Sequence, residues 1–214
     1  MEVNIFLFLL DNFFGEIHNK RKAKDVLPMT IQPLETARLH LVPSSLSLAP
    51  MVTAHYIKNR EHLRPTSPLR PEEFFTLSRQ TEGLMEDVRQ QEAGSSVRFW
   101  LFPKEAPQTI AGMAHLSQIS RGVFLSCFLG YHMDQDFLRK GYMTEAVAAV
   151  VDYAFGPLGL HRVEANVMPR NLPSLSLLRK LGFEEEGLAR DYLKICGQWE
   201  DHLHMAKRNT GMSE

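Results

Sequence analysis

The stretch LGYHMDQDFLRKGYMTEAVAAVVDYAF, residues 129–155, runs from the end of a strand through a short loop into a helix. Ala146, Val147, Val150, Val151, Ala154 and Phe155 recur at helical spacing and make one broad apolar face. Gly156, Pro157 and Gly159 then stop the chain from continuing, so the helix is predicted over Tyr142–Phe155. The next segment, HRVEANV (161–167), changes period. Val163, Ala165 and Val167 face one way and Arg162, Glu164 and Asn166 the other, as in a strand. NLPSLSLLRKLGF (171–183) reads as a second helix, with Asn171 as N-cap, Leu172, Leu175 and Leu178 on the buried side, and Gly182 as the stop.

Outward from this centre, RLHLVPSS (38–45) alternates Leu39 and Leu41 with Arg38 and His40 and reads as a strand that Pro43 and the serines end. A loop rich in proline and arginine, LRPTSPLRPEE (63–73), leads into a helix across residues 73–93, whose apolar positions are Phe74, Phe75, Leu84, Met85 and Val88. Three strands follow closely, VRFWLFP (97–103), TIAGMAHLSQI (109–119) and VFLSCFLGYHM (123–133). Turn signals at Pro107 and Gly122 make them an antiparallel meander. At the other end, EEEGLARDYLKI (184–195) and QWEDHLHMAKR (198–208) flank Gly197 as a hairpin. The order is β, helices, three β, α, β, α, β, β. It predicts an α+β (α/β mixed) fold, a single domain over residues 31–208 with a mixed, mostly antiparallel sheet flanked by helices, and a short tail at 209–214.

A length of 214 residues, 44% of them hydrophobic, suits one domain or at most two small ones. The formal net charge of −1 gives no long-range field to draw the chain onto nucleic acid. The basic patches NKRKAK and RPTSPLR lack the aromatic interleaving of an RNA-reading surface, so no direct nucleic-acid partner is expected. Cys127 and Cys196 lie far apart, without metal-ligand spacing, and no His/Cys/Asp/Glu cluster points to a metal. A reducing, cytoplasmic setting follows. The apolar start MEVNIFLFLLDNFFGEI has an uninterrupted run, Ile5–Leu10, far below the ~20 residues that cross a bilayer, and it lacks the basic region of a signal peptide. Residues 1–30 read either as a leader with Met29 as the working start, or as a short amphipathic arm packed on the domain. No membrane partner is expected.

Gly141 stands where the loop meets the helix at Tyr142. A residue without Cβ lets backbone approach an anion closely, and the unpaired N–H groups of Tyr142, Met143 and Thr144 can then point at it. Taken alone, this glycine reads first as a plain turn. It is not a Walker A loop, because no Gly-Lys-Ser/Thr follows.

Together, LGYHMDQDFLRKGYMTEA, HRVEANVMPRNLPSLSLLRKLGFEEEGLARDYL and GQWEDH resemble the GNAT superfamily of acetyl-CoA-dependent N-acetyltransferases. Within it they are similar to the RimJ/RimL branch, RimJ-type members above all, which acetylates the N-termini of ribosomal proteins. The resemblance runs from Leu34 to Lys207. The family's cofactor signature, Gln/Arg-x-x-Gly-x-Gly/Ala, falls on Leu138–Met143, where Gly141 agrees. RimJ-type proteins also carry a non-glycine at the Met143 position. Leu138 replaces the usual polar residue, and Arg139 stands where the branch usually has a second glycine.

The resemblance implies acetyl-CoA as co-substrate and assigns the parts of its site. Backbone N–H groups of Leu129, Tyr131 and Met133 hold the pantetheine and polarise the thioester carbonyl. Arg139, Lys140, Gly141, Tyr142, Met143 and Thr144 seat the pyrophosphate, with Arg139 reaching outward to the 3′-phosphate or standing as a solvated charge. Asn171 and Ser174 contact the pantetheine. Ser174 is the general acid for the leaving sulfur, its plain alternative being a hydroxyl in the first turn of a helix. Glu164 is the candidate base, unless it is a structural carboxylate paired with Arg162 or Arg190. Asp201, His202 and His115 are further candidates on the acceptor side. An α-amine has a pKa of ~7.7–8.0 against ~10.4 for lysine, so a modest base suffices. The expected reaction is direct transfer, with no covalent enzyme intermediate, to the α-amino group of a protein N-terminus, a ribosomal protein's in particular. Acetylation of a small amine, or a silent acetyl-CoA-binding or ribosome-associated protein, are the alternatives. The chain is expected as a monomer or homodimer.

Overall fold

The structure, a computed structural model, describes residues 31–212. The readings made for residues 1–30 and for the end of the tail lie outside the described residues. The strands are β1 (Leu34–Glu35), β2 (Leu39–Pro43), β3 (Val97–Pro103), β4 (Gly112–Ser120), β5 (Ser126–Met133), β6 (Arg162–Val167), β7 (Glu184–Ile195) and β8 (Gln198–Arg208). The helices are α1 (Ala49–Lys58), α2 (Leu77–Glu92), α3 (Tyr142–Phe155) and α4 (Leu172–Lys180), with single turns between them. The strands form one sheet in the order β1-β2-β3-β4-β5-β6-β8-β7. Only β5 and β6 run parallel, as a pair joined through a crossover helix must. The mixed, mostly antiparallel sheet expected from the sequence is the one observed.

Each face of the sheet is covered for a reason visible in the strands. β3, VRFWLFP, is apolar almost throughout and buried on both faces. Phe99 and Leu101 join the core under α3 and α4, whereas Trp100 and Phe102 join a second core under α1 and α2. Trp100 is fully buried and its indole N–H donates to Ser44 Oγ at 3.0 Å, which leaves no polar atom of the ring unpaired. In α3, Ala146, Val147, Val150 and Ala154 are completely covered, and burial of each valine contributes about 1.5–3 kcal/mol. The chain leaves α4 through a left-handed Gly182 (φ 79°), where Phe183 N donates to Leu178 O and Gly182 N to Arg179 O, both at 3.0 Å. The buried Phe183 and Leu178 lie at the two ends of that turn.

Several local readings need correction. The helix expected across 73–93 begins at Leu77, because Thr76 is extended and its hydroxyl accepts from Arg79 N. Phe74 and Phe75 sit in a separate single turn, under the guanidiniums of Arg70 and Arg60. Met85 is exposed, and Leu84 is the apolar residue that α2 buries in the core. Leu172 is 67% exposed and not on the buried side. Side chains tilt toward a helix's N-terminus, and at the first helical position that carries Leu172 past the last packed turn. The strands expected from Thr109 and Val123 begin at Gly112 and Ser126. Helix α1 has no counterpart in the sequence reading. It lacks a side-chain N-cap, and what holds it is the burial of Val52 and His55 against the sheet.

Candidate active site

β5 and β6 pair only over Ser126–Phe128 and Arg162–Glu164, and beyond Phe128 the two strands diverge. A continuous cleft of about 1150 Å³ opens along this split. Successive N–H groups of a strand point to opposite sides. Asp134 N donates to Ala111 O across the β4 side, and the β4–β5 register is unbroken from Met133 to Phe128. The N–H groups of Met133 and Tyr131 therefore point the other way, into the cleft, while that of Leu129, on the same side, is taken up by the Phe128–Glu164 pairing. All three residues, which the sequence reading placed against the pantetheine, line the cleft.

The chain then enters α3 through Gly141, left-handed at φ 79°, with no side-chain cap. The first intrahelical bond reaches Glu145 N, so Tyr142, Met143 and Thr144 keep free N–H groups at the positive end of a 14-residue helix. Arg38, at the foot of β2, fixes this turn. Its Nη1 donates to the Lys140 carbonyl at 2.9 Å, its Nε to Glu145 Oε2 at 2.7 Å and its backbone N to Glu145 Oε1 at 2.8 Å. Its guanidinium also covers the ring of Tyr142. Arg139 is itself left-handed (φ 59°), the conformation that suits the glycine it replaces. A donor-rich turn of this shape fits a pyrophosphate.

Where the open edge meets α4, Tyr131 Oη and Ser174 Oγ are 2.7 Å apart. Burial pushes the Tyr131 phenol up to about 12, against the opposing bond to Ser174, so it stays protonated at neutral pH. Asn171 caps α4 as expected, its Oδ1 accepting from the backbone N of Ser174 and leaving the serine hydroxyl free of that duty.

Across the cleft, His132 of β5 pairs with His55 of α1, Nε2 to Nε2 at 2.9 Å. His55 Nδ1 lies 3.2 Å from the Ile110 carbonyl, which only accepts, so Nδ1 carries the proton there. His55 Nε2 must then accept from His132, which leaves Nδ1 as the acceptor atom of the His132 ring. Burial lowers His55 to about 4 despite Asp134, and burial with His55 and Arg98 nearby holds His132 well below the usual range. Both rings are neutral near pH 7.

All the residues expected to bind cofactor line this cleft except Lys140, whose ammonium lies over Phe137. Glu164 does not line it. Its carboxylate is held 3.0 Å from Arg162 Nε, on the structural side of the two readings, and the Glu164 base is set aside for that reason. Of the other acceptor-side candidates, His202 lines the cleft with Nδ1 bonded to the Glu200 carbonyl. Asp201 caps Asp191 N, and His115 is tied to Ser96. Burial pushes the Cys127 thiol up to about 12, so it offers no thiolate for covalent catalysis. Among the described residues no group of His, Cys, Asp or Glu could hold a metal ion. Arg38, His55 and the Tyr131–Ser174 pairing were not found from sequence, because each depends on partners remote in the chain.

A family model described as acetyltransferase (GNAT) domain matches residues 38–184. The ribosomal protein uS5-alanine N-acetyltransferase of Escherichia coli (strain K12) is 40% identical over 151 residues, covering 70% of this chain and 76% of that protein. Among solved structures, the ribosomal-protein-S5-alanine acetyltransferase from Vibrio fischeri is similar with a TM-score of 0.81 and 32% identity, over 86% of this chain and 100% of that one. Mycobacterium smegmatis RimJ in complex with CoA-disulfide gives a TM-score of 0.77 at 26% identity, over 88% of this chain and 91% of that one.

Proposed function

Because the chain belongs to the GNAT acetyltransferase family and is an N-acetyltransferase that uses acetyl-CoA, we propose that it acetylates the α-amino group of a protein N-terminus, that of a ribosomal protein in particular. The observation that carries this is the cleft itself, which joins an open strand edge, a bare helix N-terminus and the Tyr131–Ser174 pair in one continuous space. The named relative acts on a ribosomal-protein alanine, and an α-amine is the acceptor that needs least help to lose its proton.

The residues divide the work as follows. Tyr142, Met143 and Thr144 receive the phosphates at the N-terminus of α3. The N–H groups of Tyr131 and Met133 lie about 6.6 Å apart along the strand, so one donates to the thioester carbonyl oxygen as charge grows on it and the other holds the pantetheine. The neutral amine attacks the carbonyl carbon and the carbon–sulfur bond breaks. Ser174 gives its proton to the departing sulfur and recovers one through Tyr131, while the proton shed by the amine nitrogen passes to water in the cleft, from which Tyr131 is restored. No residue of the enzyme is acylated. Asn171 keeps Ser174 at the helix start, where its hydroxyl faces the cleft.

Arg139 reaches toward the 3′-phosphate in this reading. Arg139→Gly separates its two roles. The left-handed arginine costs ~1–2 kcal/mol and a glycine's freedom in the unfolded chain ~0.5–1 kcal/mol, so the variant is more stable by about 0.5–1 kcal/mol. Its KM for acetyl-CoA rises severalfold at low salt, and the rise shrinks as salt is added. Titration of KM against ionic strength checks this, and an unchanged KM at low salt removes the phosphate contact.

We also propose that residues 31–208 act as one catalytic domain in the cytoplasm, where acetyl-CoA and new ribosomal proteins meet. Among the described residues no helix is long and apolar enough to cross a membrane. Mass spectrometry of ribosomal-protein N-termini from cells with and without the gene tests the acceptor. One N-terminus should lose its acetyl group in the deletion, and an unchanged set counts against the proposal. An assay of N-terminal peptides beside free amines, read by CoA release, separates the protein acceptor from a small one.

A further inference from the structure

Beyond His132, the cleft is walled by Arg60, Arg64, Arg70, Arg79 and Arg98, and among the described residues the only carboxylate lining it is Glu61. Arg64 and Arg70 come from the RPTSPLR loop and, though exposed, both line this wall. The loop is tied down by the bond from Cys196 N to Ser67 O at 2.9 Å, across the turn between β7 and β8. Four of the arginines have acidic partners. Arg60 bonds Glu72, Arg64 lies 3.6 Å from Glu61, Arg79 lies 3.4 Å from Glu82, and Arg98 lies 2.9 Å from Asp87. Arg70 has none among the described residues, and its guanidinium lies 4.4 Å over the ring of Phe74. Arg98 Nε is buried without any partner.

These groups feel one another. Burial pulls Arg70 below its usual value, opposed by the Tyr56 phenol and reinforced by Arg98 and Arg79. The Tyr56 phenol, raised by burial, is pulled down by Arg98 and Arg70 in turn. Arg70 itself is exposed, with room for an incoming anion, and a guanidinium held beside two others is unfavourable until an anion joins it. The same positive field disfavours an ammonium ion, so an amine placed beside His132 is biased toward the neutral form that attacks.

Resting on the acyl-transfer reading above, we infer that this end of the cleft selects acceptors carrying an acidic group, a carboxylate or a phosphate, within reach of the reacting amine, held by Arg70 with Arg98 beside it. In a peptide that group is an aspartate or glutamate in the first few residues. In a small amine it is a carboxylate or phosphate on the same molecule.

The full-length protein is assayed at saturating acetyl-CoA with two sets of acceptors. One set is hexapeptides beginning with alanine that differ only by Glu or Gln at positions 2 to 4. The other is glycine and phosphoethanolamine beside glycinamide. The acidic member of a set exceeds its neutral counterpart in kcat/KM by about tenfold or more, and the ratio falls with added salt. Arg70→Gln brings the ratio near one, and Arg70→Lys, which keeps the charge without the planar fork, restores part of it. A merely structural role for Arg70 would lower both members alike and leave the ratio intact. A wild-type ratio near one, or a ratio that survives Arg70→Gln, overturns the inference. If the acidic small amines react and no peptide does, the N-terminal reading fails while this one stands. If peptides react regardless of charge, the reverse holds.

Discussion

Replacing Ser174 with alanine lowers kcat by about 100- to 1000-fold and leaves the KM for acetyl-CoA nearly unchanged. The hydroxyl lost is the one 2.7 Å from Tyr131 Oη, at the point where the strand edge meets α4. The helix cap survives, because Asn171 bonds the backbone N of residue 174 and not its hydroxyl. The fold is therefore spared and the loss falls on proton delivery to sulfur. Two further measurements fix the role. Tyr131→Phe removes the donor behind Ser174 and costs a smaller factor, about tenfold, since the serine proton can be replaced from solvent. A thioester with a more acidic leaving thiol needs less protonation, so it should recover much of the rate in Ser174→Ala. A variant with wild-type kcat would reduce Ser174 to a first-turn hydroxyl.

Gly112→Ala lowers stability by about 3 kcal/mol or more, and in a chain of this size that lowers Tm by about 6–12 °C. A Cβ built at Gly112 meets the His132 carbonyl oxygen at 2.4 Å and Met133 Cα at 3.1 Å. Both obstacles are backbone, so no side chain can rotate away and β4 must part from β5. Gly112 pairs directly with Met133, whose N–H opens into the cleft on the other side. The damage thus passes through one strand to the donors of the site, and activity falls even below the melting temperature. Thermal unfolding followed by circular dichroism checks the first effect. A variant melting within about 2 °C of wild type would show that the strands part without cost.

The fold was legible in the sequence where its signals are local. Alternation marked β2 and β6, Gly197 marked the β7–β8 hairpin, apolar spacing marked α3, and Asn171 with Gly182 bracketed α4. Helix α1 was not legible, since its support comes from burial against the sheet and not from its own caps. Phe74 and Phe75 looked helical because they are apolar and adjacent to α2. Their actual place, under Arg70 and Arg60, depends on loops that no spacing rule describes. The site divides in the same way. The glycine and the bare helix start at Gly141 can be read from neighbouring residues, as can the outward face of Glu164. The Arg162 clamp on Glu164 is local and was among the sequence alternatives, but which residue clamps Glu145, and that Tyr131 meets Ser174, follow from contacts between segments far apart in the chain.

Arg38 lies 107 residues before Glu145, yet its three bonds complete the turn that receives the phosphates. The shape of that turn is consequently conditional on the first strands of the domain having docked. By thermodynamic linkage, whatever binds at the turn must also tighten the strand that clamps it. Backbone amides of Leu39–Val42 should exchange with deuterium more slowly once acetyl-CoA is added, although they lie at the far edge of the sheet. A chain still emerging from the ribosome therefore has the foot of β2 waiting for a glutamate made much later. Only when the two meet is the turn proposed to seat the co-substrate complete.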